Sequence, residues 1–375
     1  MIVVALCPFS WFSHWKALTG YELTTAGYFI TSEHSAMEQY GGPMVFLVLG
    51  ILLFLFTAAD ITKTTLSTRG GGTITNIVSK SVWRCFFAAA GRRGEAKLLE
   101  YAGQCVLLLV LLTWIVCLWL SLFLMLASDP ASVINGTTKA AADLWETFYY
   151  AGFTLSTLGV GDFAASNDAW RVLTSAAAFC GLTFITAAIT YIVPVLSAVS
   201  LQNQLSLLIS SMGRTPQEIL VNSWNGSDFS RFYDNASDIR QMLVEHTLNH
   251  HAYPVIRCFH NKQAEKNVIP AVVSLNEVLQ LLEGVAEDVP QDTLKHKMLV
   301  SALDQHLEMQ RSNYLGQENS LAQQPPIMDV AALSNAGIPL KSNVDQMLNA
   351  PERRRLLGAL LEADGWGWHH VYPRD

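Results

Sequence analysis

The chain has 375 residues, of which 51 % are hydrophobic and 15 % charged, with a formal net charge of −7. That composition excludes an ordinary soluble globular protein, and the acidic balance argues against nucleic acid as a partner. The six cysteines form no C-x-x-C pair, which leaves neither a disulfide framework nor a zinc finger to expect.

Residues 1–43 are predicted to form an extracytoplasmic, interfacial segment. Their start resembles a secretion signal in hydropathy, but it has no basic n-region and no clean small-residue cleavage site. Phe9, Trp11, Phe12 and Trp15 suit an aromatic belt at a membrane surface. Beyond them lie three uncharged apolar runs, at 44–59, 101–128 and 172–200. About 20 helical residues cross a hydrocarbon core, so the second and third runs span unaided. The first needs Gly42, Pro43 and the flank after Ala59; it is read as a first transmembrane helix over 44–60.

The connection 61–100 is a basic linker carrying Lys63, Arg69, Lys80, Arg84, Arg92, Arg93 and Lys97. The positive-inside rule puts it in the cytoplasm, with the N-terminus outside and everything after about residue 200 inside. Within it, Trp83, Phe86 and Phe87 beside Arg84, Arg92 and Arg93 read either as a helix on the inner leaflet or as a solvated loop. The first span holds no arginine ladder, which excludes a voltage sensor of the usual kind.

Residues 101–200 divide into an outer helix (101–128), a short amphiphilic helix (142–156), a glycine-containing loop (157–162) and an inner helix (170–200). The short helix starts near Ala142-Asp143, where an acidic first turn suits the helix dipole, and its C-terminal end directs partial negative charge at the loop. That loop reads Thr157-Leu158-Gly159-Val160-Gly161-Asp162. Glycines at alternate positions permit backbone angles that residues with a Cβ resist. A loop of this kind can turn consecutive carbonyls toward one axis, where rings of oxygens replace the water around a potassium ion.

This segment resembles the pore signature of potassium channels, Thr-x-Gly-Tyr-Gly-Asp. The preceding Phe153-Thr154-Leu155-Ser156-Thr157 is similar to the hydroxyl-rich run of that family. The resemblance implies an all-α membrane protein: a pore-loop, potassium-channel-like domain with one extra N-terminal span and a cytoplasmic α-helical domain. It also implies a homotetramer within the lipid of the cell membrane, multi-pass, with potassium as permeant ion, no cofactor and no catalysis. The ion-binding residues carried over are Thr157, Leu158, Gly159, Val160 and Gly161, with Asp162 at the outer mouth. Tyr149, Tyr150, Phe153 and Thr154 support the filter. Two positions depart from the family pattern. Leu158 replaces a valine or isoleucine, and Val160 replaces a tyrosine or phenylalanine whose ring braces the filter, so stiffness and the preference for potassium over sodium are the properties at stake.

In the inner helix, Gly181 is either a hinge or a site of close helix packing. Pro194 predicts a local kink. Thr186, Thr190, Val193 and Ser197 share one helix face, as pore wall or as helix contact, and Val193 with Leu196 are candidates for a gate that dewets. Residues 201–375 read as a cytoplasmic helical domain whose ligand is not legible. Thr215-Pro216 announces a helix start. Apolar periodicity predicts helices over 229–249, 270–285 and 291–311, with linkers at 312–326 and 334–343. No Gly-x-Gly-x-x-Gly turn announces a nucleotide-binding domain. The cluster of His246, His250 and His251 with Cys258 and His260 reads as a helix C-terminus rich in histidine rather than as a metal site. The Trp366–His370 end docks on either the helical domain or the inner leaflet. Two further functional readings stand beside a potassium channel: a weakly selective monovalent cation channel, and a non-conducting membrane sensor with a degenerate pore loop.

Overall fold

The computed structural model describes residues 31–66, 70–314, 325–344 and 351–373. The aromatic belt expected at Phe9, Trp11, Phe12 and Trp15 lies outside the described residues. Among the described residues, three helices are long and apolar enough to cross a membrane. They are the Pro43–Leu66 part of α1 (Thr31–Leu66), α3 (Ala102–Ala127) with the 3-10 turn ahead of it, and α5 (Asp168–Met212). Hydrocarbon offers no hydrogen bonds, so a spanning segment must satisfy its own backbone. The hydroxyls follow the same rule: Thr57 donates to Leu53 O at 2.8 Å, Thr113 to Leu109 O at 2.7 Å and Thr183 to Phe179 O at 2.9 Å.

Helix α1 lies along α3. The Ser121 hydroxyl donates to Gly50 O at 3.0 Å, and a Cβ on Gly50 would come within 2.8 Å of Ser121 O. A glycine is what allows two membrane helices this close. Further along the same contact sits Asp60, which is buried. Its carboxylate accepts from Ile74 N at 2.7 Å, Thr75 Oγ1 at 2.8 Å, Thr75 N at 3.3 Å and Trp114 Nε1 at 2.9 Å. It thus caps α2 (Thr73–Ala89) from a different helix, with its negative charge at the positive end of the dipole. A Cβ on Gly72 would overlap this carboxylate.

From that cap α2 returns beside α3, packing Ile74, Val78 and Val82 on a core that holds Val106, Leu107 and Val110. Its aromatic side faces protein. Trp83 stacks on Phe87 at 5.7 Å and meets the His260 ring at 6.2 Å. Between the two readings of this linker the structure gives a helix, and that helix rests on protein through the side that carries the aromatics.

Helix α5 runs unbroken for 45 residues. Pro194 sits inside it without ending it. The sequence reading stops this helix at residue 200, with the uncharged run. The structure continues it to Met212, because 201–212 contains no helix breaker before Gly213. The added turns bury Leu205 and Ile209. Consequently α5 enters two cores: Tyr191, Val195 and Ala198 pack with α3, whereas Leu205 and Ile209 pack with the C-terminal helices.

Those helices are α6 (Pro216–Ser223), α7 (Ser230–Ala252), α8 (Val268–Glu283), α9 (Thr293–Tyr314), the short α10 (Ala331–Asn335) and α11 (Pro351–Ala363). Thr215 caps α6 by accepting from Glu218 N at 3.1 Å. Helix α8 is the central element, with Val272, Leu275, Val278, Leu279 and Leu282 all buried. Its Glu277 is buried too and is satisfied by Arg354 Nη2 at 2.8 Å and Tyr372 Oη at 2.6 Å. A buried charge persists only with such partners.

Candidate functional site

The site is built on α4 (Leu144–Leu155), a helix with a complete N-terminal cap. Asp143 accepts from Glu146 N at 2.8 Å, and Asp143 N donates to the Glu146 carboxylate at 2.8 Å. This capping box fixes where the helix begins. Trp119 of α3 fixes its middle: the indole donates to Phe148 O at 2.8 Å and stacks on the Phe148 ring at 4.5 Å. Gly152 leaves room for that indole, since a Cβ would meet its ring at 2.7 Å.

The far end of α4 turns into the glycine loop through a Schellman motif. Thr157 N donates to Thr154 O at 3.1 Å and Leu158 N to Phe153 O at 3.0 Å. The motif demands a left-handed residue just beyond the helix, usually glycine. Here it is Thr157, with φ +56°. A β-branched residue in that region is strained by roughly 1–2 kcal/mol. Gly159 (φ +57°) and Gly161 (φ +88°) are left-handed as well, whereas Leu158 and Val160 are not. The backbone therefore alternates in hand over five consecutive residues. Such alternation turns successive carbonyls to one side of a chain, where a β-strand would alternate them.

The segment 156–162 is exposed throughout within one chain, with Leu158 at 66 % and Val160 at 55 % exposure. Its supports are covered. Tyr150, Phe153 and Thr154 are buried, and Tyr150 and Phe153 meet edge to face at 5.0 Å. Tyr149 is more open and lies within reach of the Asp162 charge. The outer end of the loop is tied to a two-stranded sheet. In it β1 (Val133–Asn135) pairs antiparallel with β2 (Phe163–Ala165), Ile134 opposite Ala164. Gly136 N donates to Asp162 O at 2.7 Å. Trp170 Nε1 donates to Asp129 Oδ2 at 2.8 Å, tying the start of α5 to the residues just after α3.

Gly181 of α5 touches the C-terminal end of α4, where the helix gives way to the loop. A Cβ there would overlap the Leu155 carbonyl oxygen. Thr186, Thr190, Val193, Leu196 and Ser197 are exposed on the free side of α5. The Thr190 hydroxyl bonds back to Thr186 O at 2.9 Å.

Sequence reading brings Tyr149 to Asp162 together as one unit and passes over four parts of it. Trp119 and Asp129 are invisible because their partners are 29 and 41 residues away. The β1–β2 pair is too short to show a pattern. The Thr157 backbone strain leaves no trace in side-chain identity.

Away from the loop, His246 and His250 are joined by His306 of α9. The ring centroids are 5.5 Å apart for His246 and His250, and 5.3 Å for His246 and His306. Burial holds His246 neutral, its pKa lowered to about 4, and lowers the other two as well. Among the described residues no group of three or more His, Cys, Asp or Glu side chains has the geometry to hold a metal.

Residues 106–198 match a protein-family model described as an ion channel. The chain is also similar to the uncharacterized membrane protein YdjJ of Bacillus subtilis (strain 168). The two are 30 % identical over 328 residues, which is 86 % of this chain and 95 % of that protein. No solved structure matches it.

Proposed function

The chain belongs to the ion channel family, and from that premise we propose that it is a homotetrameric potassium channel of the cell membrane. Conduction is passive, through carbonyls of Thr157, Leu158, Gly159, Val160 and Gly161, with Asp162 at the outer mouth. The observation that carries this reading is the alternating hand of the backbone at Thr157, Gly159 and Gly161. Rings of such carbonyls replace the hydration shell of a cation. The C-terminal end of α4 adds its partial negative charge just inside them.

The tetramer rests on what one chain leaves open. Irregular backbone at membrane depth must be covered by protein or must line a watery path, and 156–162 is exposed in the single chain. Four copies around one axis close the ring. In the proposed division, residues 101–200 form the pore domain and 201–375 a cytoplasmic domain, with the N-terminus outside. Thr186, Thr190 and Val193 then face the path below the filter, and Val193 with Leu196 narrow it.

Leu158 and Val160 keep their carbonyls, so the ion path survives both departures from the family pattern. In place of the brace that a tyrosine supplies elsewhere, the buried Tyr150, Phe153 and Thr154 form a largely apolar cuff behind the loop. Purified protein in liposomes with potassium on one side and sodium on the other tests the proposal. The expected reversal potential tracks potassium, and Gly159→Ala, whose Cβ opposes the left-handed backbone, removes at least about 90 % of the flux. A reversal potential that tracks sodium rejects potassium selectivity. Full flux in Gly159→Ala rejects the filter assignment.

A further inference from the structure

Between β1 and α4 the chain turns at 136–139, and this turn touches the loop where Gly161 gives way to Asp162. Gly136 N donates to Asp162 O at 2.7 Å. A Cβ on Gly136 would come within 2.7 Å of Gly161 O and 3.2 Å of Asp162 O. Both neighbours are backbone atoms, so neither can swing aside as the end of a long side chain does. Gly136 is not among the left-handed glycines. The close contact, and not a backbone angle, is what calls for glycine there.

The turn is itself held firmly. Asn135 N donates to Ala140 O at 2.9 Å and Lys139 N to Asn135 O at 3.1 Å. The Asn135 side-chain oxygen accepts from Thr137 N at 2.9 Å and Thr138 N at 3.0 Å, as in an Asx turn. Lys139 takes a left-handed backbone, φ +58°, and its ammonium donates to Gly136 O at 2.7 Å. Such a conformation persists only where its surroundings hold it. On one side Asn135 of β1 stands opposite Phe163 of β2. On the other, Ile134 bridges to Ala141, and Ala142 N donates to Val133 O at 2.9 Å. Ala142 leads directly into the Asp143 cap of α4. Strand β1 therefore lies between the residues that enter α4 and those that leave the loop, and closes the two into one frame. Inside that frame Leu158 and Val160 carry no side-chain donor or acceptor. Among the described residues, backbone hydrogen bonds reach the loop at its ends: the Schellman bonds at Thr157 and Leu158, and the Gly136 bond at Asp162.

We propose that Gly136 is a positioning residue of the pore loop. Its turn is the outer brace that sets where the Gly161 carbonyl sits, and with it how sharply the path separates potassium from sodium. This rests on the reading of 157–162 as the ion path. A ring of oxygens discriminates between cations by its size or by the number and field of its dipoles. Either property changes when one carbonyl of the ring is displaced by a fraction of an ångström. The apolar cuff packs behind the loop, whereas the turn grips it from the outer end through main-chain atoms.

Gly136→Ala in the full-length protein tests this, in liposomes with potassium on one side and sodium on the other. Its methyl group presses on the Gly161 carbonyl. The expected result is flux that persists with a potassium-to-sodium permeability ratio at least about fivefold below native. A native ratio in that variant overturns the brace and leaves the ion path standing. Should Gly136→Ala fold or conduct too poorly for a ratio, two changes at Asn135 decide, because they add no bulk against the loop. Asn135→Ala removes the acceptor of the Thr137 and Thr138 amides. It is expected to lower the ratio in the same direction and to speed hydrogen exchange of the Gly136 amide at least about fivefold. Asn135→Asp keeps the acceptor and retains the native ratio. A native ratio in Asn135→Ala, or an equal loss in Asn135→Asp, overturns the brace. The ion path fails separately: full flux in Gly159→Ala, or a native reversal potential that tracks sodium, rejects it and the brace together.

Discussion

At the scale of single residues, Thr157 and Gly181 set the geometry of the loop from its two sides. Thr157 holds a left-handed backbone that its side chain resists, and the Schellman bonds from Thr157 and Leu158 hold it there. Gly181 leaves only enough space for the Leu155 carbonyl. Gly181→Ala is therefore expected to push the end of α4 away from α5. Overpacking of this kind costs about 1–3 kcal/mol, visible as a lower thermal midpoint in detergent together with reduced flux. A hinge role alone predicts a different pattern, altered opening with an unchanged midpoint. The glycine was legible in the sequence as one of these two alternatives. The contact that distinguishes them is with a residue 26 positions earlier, and no local pattern encodes it.

At the scale of elements, the first membrane helix acts as a mount for α2 and α3. Asp60 is acceptor for three donors on the first turn of α2 and for the Trp114 indole of α3. Trp114 in turn meets Phe184 and Tyr191 of α5, at 6.1 Å and 6.0 Å. Replacing a buried acceptor leaves its donors unpaired, at a cost of about 1–3 kcal/mol. Asp60→Asn, whose amide presents N–H groups to other N–H groups, is expected to lower the unfolding midpoint and to speed amide exchange at Ile74 and Thr75. Unchanged exchange there would show that the cap contributes nothing. The helices themselves were readable: apolar runs, the Asp143 start of α4, the Thr215 cap and the periodicity of α7, α8 and α9 all mark them within a few residues. Their ends were less so, because α5 outlasts its apolar run and continues as an ordinary polar helix. The α2 helix was ambiguous because its apolar face and its basic face suit a lipid surface as well as a protein one.

At the scale of the whole molecule, the C-terminal domain carries a built-in acid weakness. His246, His250 and His306 are fully buried, and burial depresses all three pKa values, His246 to about 4. An unfolded histidine titrates near 6.5. Below that value the unfolded chain binds protons that the folded one excludes, so stability is complete above about pH 6.5 and falls as the pH drops toward 4. Each of the three contributes a slope of up to about 1.4 kcal/mol per pH unit. Thermal or urea midpoints measured from pH 7.5 to 4.5 should fall steeply, and His306→Gln should flatten the curve; a native midpoint constant to pH 4.5 contradicts this. His246 and His250 stand four apart in the sequence and drew attention there. His306 lies 56 residues further on, and only the packing of α7 against α9 unites the three.

The unbroken run of α5 has a mechanical meaning. Forty-five residues at 1.5 Å each make a rod of about 67 Å. One part of it leans on the carbonyl at the end of α4, and the other is embedded in the C-terminal core. From Gly181 to Met212 the lever arm is about 46 Å. A tilt of roughly 10° about that fulcrum carries the distal tip about 8 Å sideways. Read backwards, the same geometry scales a displacement of several ångströms at the distal tip down to well below one beside the loop, and the packing of Tyr191, Val195 and Ala198 on α3 restrains it further.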